Sequence, residues 1–120
     1  MLHTLLIVLT LGHADGPHLA ITEAGDMAAC AARAKAVSAV LTDAGYPVAA
    51  HRCLQTEQRF TPYSHGPDAP APTHAYRVTL PAEGGALIEP VATLSGCTPS
   101  PEAVPPVFCA LSTQTPLPRP

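Results

Sequence analysis

Thirteen of the fifteen prolines in this chain lie beyond Phe60, and that asymmetry limits where regular structure can form. Proline removes a backbone donor, breaks helix interiors and is confined to the edges of sheets. Periodic aliphatic residues are concentrated before Leu54, and a length of 120 residues fits one domain. The expected organisation is a compact unit over residues 1–60, loop and edge strands of the same domain over 61–94, and a Pro-rich tail over 95–120. The tail carries seven prolines and only two charged side chains, Glu102 and Arg119, so it is expected to be irregular and to add little to the fold.

Within the first half, residues from about Glu23 to Ala44 read as a helix with Gly45 as its C-terminal cap. Met27, Cys30, Ala31, Ala34, Val37, Leu41 and Ala44 recur at steps of three and four and define the face to be buried, with Asp26, Arg33, Thr42 and Asp43 toward water. The chain then turns through Pro47 into a strand over Val48–Leu54. At ~1.5 Å per helical residue Cys30 lies roughly 21 Å back from the helix end. At ~3.3 Å per strand residue Cys53 lies roughly 20 Å along the return. The two sulfurs therefore reach the same level of the fold.

The run Leu5–Leu11 is apolar throughout and admits two readings. As a buried strand, it ends at the turn Asp15-Gly16-Pro17 and pairs in a hairpin with Pro17–Thr22, whose His18, Ala20 and Thr22 face one side and Leu19 and Ile21 the other. As the core of a signal peptide, it offers a cleavage site after Ala14 but has no Lys or Arg in Met1–Thr4. The first reading leaves location cytoplasmic; the second makes the protein periplasmic or secreted. The run is too short to span a membrane.

These elements predict an α+β fold of ββαβ type: a small antiparallel or mixed sheet of order 2-1-3 covered by one Ala-rich helix, half of a ferredoxin-like arrangement, with a Pro-rich irregular C-terminal half. Beyond Leu54, Ala75–Leu80 alternates as an edge strand, and Leu87–Leu94 is a short strand interrupted by Pro90.

A net charge of −3, from six basic and nine acidic residues, provides no field for phosphate or anionic lipid. Arg33, Lys35, Arg52, Arg59, Arg77 and Arg119 are scattered, and two Phe, three Tyr and no Trp make no stacking platform, so nucleic acid is not expected as a partner.

The four cysteines contain no C-x-x-C pair, which favours disulfides, Cys30 with Cys53 and Cys97 with Cys109, over a zinc site. The alternative is buried free thiols. Two residues apart on a strand, His51 and Cys53 could form a thiolate–imidazolium pair only if Cys53 is unbridged. Among six histidines, His13 and His18 flank the hairpin turn and His65 and His74 flank the Pro-rich loop; these are weak metal candidates beside the simpler reading of solvated loop histidines. No phosphate loop or nucleophile elbow is present, and no cofactor is implied. The resulting expectation is a small non-enzymatic binding or accessory protein, with an unspecified protein partner. A periplasmic His-dependent metal-binding protein is the alternative, and a thiol-dependent enzyme comes third.

Overall fold

The computed structural model describes residues 2–64 and 68–118. Six strands and one helix follow in the order β1 (His3–Thr10), β2 (His18–Ala24), α1 (Met27–Asp43), β3 (Val48–Thr56), β4 (His74–Thr79), β5 (Leu87–Val91) and β6 (Val107–Ser112). They form one mixed sheet of order β3-β1-β2-β6-β4-β5, curled into a half-barrel. This overturns the expected small ββαβ sheet of order 2-1-3 with an irregular C-terminal half: the sheet continues past β2 into three further strands. The physical reason lies in β6. Pro105 and Pro106 stop just before it and Pro116 follows it, so prolines bracket the run Val107–Ser112 without interrupting it.

The apolar N-terminal run is a strand, antiparallel to β2 on one side and β3 on the other. Every residue of β1 after His3 is buried because both faces are covered. Leu5, Ile7 and Leu9 enter the core of the half-barrel with Leu19, Ile21, Leu54, Tyr76, Val78 and Ala110. Leu6 and Val8 point the other way, beneath α1, against Cys30 and Ala34. A register shift between Leu9 and Thr10 sets Thr10 opposite Val48 and turns Val48 toward the helix cluster.

The helix starts later than its pattern suggests, because β2 runs on to Ala24 and Asp26 takes the N-cap, its Oδ1 accepting from the Ala29 N–H at 2.7 Å. At the other end Gly45, with φ +90°, closes a Schellman motif: its N–H donates to Thr42 C=O and the Tyr46 N–H to Leu41 C=O. The buried face is narrower than the periodic stripe. Cys30 and Ala34 are buried and Val37 and Leu41 pack beside them, whereas Met27, Ala31 and Ala44 are exposed. Alanine supplies little apolar area, and the Cys30–Cys53 disulfide ties the helix to β3 covalently.

β4 is an interior strand, flanked by β6 and β5, and not the edge its flanking prolines suggested. Pro90 stands within β5, at the sheet edge, where proline is tolerated. β6 lies parallel to β2 through a single ladder pair, His18 with Leu111. Beyond it the Gln114 carboxamide takes over, bonding Ile21 and, through Nε2, the Thr61 carbonyl at 2.7 Å. Arg52 on β3 donates to the carbonyls of Pro81 and Gly85, linking the first edge strand to the β4–β5 turn across the open side of the half-barrel.

Candidate functional site

On the face of the sheet that carries α1, a groove of about 400 Å³ lies between the helix and Tyr63, Ser64, Ala69, Pro70 and Pro72 of the Pro-rich region. Its floor and one wall follow from two periodicities. The outward alternates of β2, His18, Ala20 and Thr22, form the floor, spanning roughly 13 Å at strand rise. Arg33, Val37 and Leu41, spaced four apart on α1, form the wall over roughly 12 Å. Leu111, Pro70 and Pro72 make the opposite side. Because α1 runs back along β2, Arg33 stands near Thr22, its Nη1 donating to the Glu23 carbonyl at 2.6 Å, while Leu41 lies toward His18.

The far end is closed by an aromatic stack. The His13 and His18 rings lie 3.6 Å apart and nearly parallel, and Tyr46 stacks on the other face of His13 at 4.5 Å. Asp15 Oδ1 meets His18 Nε2 at 2.7 Å, and Thr10 Oγ1 meets His13 Nε2 at 2.9 Å. Burial, reinforced by the neighbouring His18 and partly offset by Asp15, lowers the His13 pKa. The hydrogen bond from His18 lowers that of Asp15. Gly12, φ +90°, brings this hairpin loop against the helix end; a Cβ there would lie 2.7 Å from the Gly45 carbonyl oxygen.

The hairpin thus brings His13 and His18 together, with Nε2 of each engaged and the rings face to face. Metal ligands aim in-plane lone pairs at one point, whereas stacked rings hold theirs in parallel planes. Among the described residues no group of three His, Cys, Asp or Glu side chains could hold a metal ion. His74 is exposed on β4, and His65 lies outside the described residues.

All four cysteines are bridged, Cys30 to Cys53 and Cys97 to Cys109, with Cα separations of 6.0 Å in each case. Cys53 therefore offers no thiolate to His51, which is exposed two residues before it. The second bridge pins the segment before β6 to that strand and borders an apolar pocket of about 310 Å³ with Leu94, Pro99 and Phe108. Two disulfides are compatible with an oxidising, extracellular location. No described helix is long and apolar enough to cross a membrane.

Arg33 is exposed, as the helical pattern predicts, but sequence reasoning gave Arg33, Ala20 and Tyr46 no part in a site. The available signal was the match between the helical spacing 33-37-41 and the strand alternation 18-20-22, which places both sets along one channel. Comparison of the chain with protein-family models, with curated proteins and with solved structures finds no match.

Proposed function

We propose that this protein is a small, non-enzymatic binding protein whose two disulfides suit an oxidising, extracytoplasmic compartment although the Leu5–Leu11 run is a core strand, and that the groove between α1 and the Pro-rich segment is its ligand site. One observation carries the reading: the groove combines a mostly apolar channel with a few polar side chains, in the size range of small-molecule sites. Ala20 at mid-floor supplies the depth. The bridging of Cys30 and Cys53 argues against the thiol-dependent enzyme, and the stacked His13 and His18 argue for an end wall over a metal centre.

Ala20→Phe tests the reading, because that side chain projects into the groove and away from the half-barrel core. With N-phenyl-1-naphthylamine, a neutral dye that brightens in apolar sites, the native protein should show saturable enhancement and Ala20→Phe should lose it while keeping its circular dichroism spectrum. An equal response from both proteins would overturn the assignment. One equivalent of zinc or copper in the purified protein, lost in His13→Gln, would favour the metal-binding alternative instead.

A further inference from the structure

We infer that the ligand of this groove is a small amphipathic monoanion, its acidic group held by Arg33 and its apolar body laid over Ala20; this rests on the groove being the binding site. The charges along the groove are one-sided. Its described lining holds the Arg33 guanidinium and the His13 and His18 imidazoles and no carboxylate. Glu23, whose backbone carbonyl Arg33 meets, has its carboxylate committed to Arg59 at 2.9 Å and to His3 at 3.6 Å. Arg33 itself meets only the Glu23 backbone carbonyl among the described residues, through Nη1, so most of its five donors remain for an incoming oxygen pair. Guanidinium and carboxylate pair through two parallel hydrogen bonds, which fixes orientation as well as charge.

The other end offers an anion less. Asp15 stands behind His18, and His13 is biased toward its neutral form by burial. The acidic group is thereby directed to the Thr22–Arg33 end, and the channel from Val37 to Leu41 is left for hydrocarbon.

The test uses octanoate and 1-octanol, which share a chain and differ in charge, titrated into the 120-residue protein and read by amide chemical shifts of Ala20, Thr22 and Val37. Octanoate should bind about tenfold or more tightly than 1-octanol, in keeping with a charge-assisted pair. Arg33→Gln should remove the difference between octanoate and 1-octanol, and Arg33→Lys should restore part of it. Equal affinities in the native protein would overturn the anion assignment and leave the groove as the site. A preference that survives in Arg33→Gln would overturn the role of Arg33. No response at these amides to either compound would overturn the site itself.

Discussion

Gln114 bonds to Ile21 as a neighbouring strand would: its carboxamide Oε1 accepts from the Ile21 N–H and its Nε2 donates to the Ile21 carbonyl, both at 2.7 Å. The side chain is 1% exposed, and its own backbone carbonyl accepts from Tyr76 OH at 2.7 Å. Gln114 therefore extends the one-pair contact between β2 and β6. Gln114→Leu leaves a buried donor and acceptor of Ile21 unpaired, at about 1–3 kcal/mol for each orphaned group. The expected fall in Tm is about 8 °C or more, read by thermal denaturation.

The Cys30–Cys53 bridge should matter more than any single contact of the helix. Its sequence separation of 23 corresponds to about 3 kcal/mol in the chain-entropy description. Cys30→Ala with Cys53→Ala should lower the urea midpoint accordingly, with α1 losing hydrogen-exchange protection first. Non-reducing peptide mapping of the native protein should yield only the pairs Cys30–Cys53 and Cys97–Cys109.

The tail over 95–120 reads from the sequence as adding little to the fold, yet it supplies β6, so truncation after Leu94 should be severe. The shortened chain loses the strand that separates β2 from β4, together with Ala110 and Gln114. It should show no cooperative melt by circular dichroism. Retention of a sharp transition near the native Tm would contradict the six-stranded sheet.

Acid should weaken the β1–β2 hairpin in two stages. Both His13 and Asp15 have folded pKa values below their ordinary ones. Each group's stabilising contribution is thus complete above its unfolded pKa and is lost as pH falls through the folded value. Below about 6.5 the His13 contribution declines, and below about 3.9 that of Asp15 follows. Tm measured from pH 8 downward should fall in that order, and His13→Gln should flatten the upper limb.

Local chemistry made several elements readable before any coordinates. Gly45 marks the helix end because only a residue free to take positive φ closes the Schellman turn. Leu19 and Ile21 alternate against His18, Ala20 and Thr22, and the strand separates them onto the core and the groove as that pattern requires. The matched rise of helix and strand brought Cys30 to Cys53. The sheet beyond β2 was hidden because strand order depends on long-range pairing, and because proline density was read as a property of the whole tail when it belongs to the flanks of β6. Gln114 was invisible for a related reason: a glutamine that replaces a ladder pair has no local signature, and its partner lies 93 residues away.

The disulfides divide the chain unevenly with respect to the narrow β2–β6 contact. Cys30–Cys53 closes a loop wholly within the segment that builds β3, β1 and β2, and Cys97–Cys109 closes one that runs into β6 and ends two residues before Leu111, its partner to β2. Neither loop encloses the junction. Oxidation therefore reduces the disorder of each half of the unfolded chain separately, and leaves untouched the entropy lost when the halves meet. That loss is offset by non-covalent contacts alone, the shared apolar core foremost, so the two halves of the oxidised protein are free to part without breaking a covalent bond.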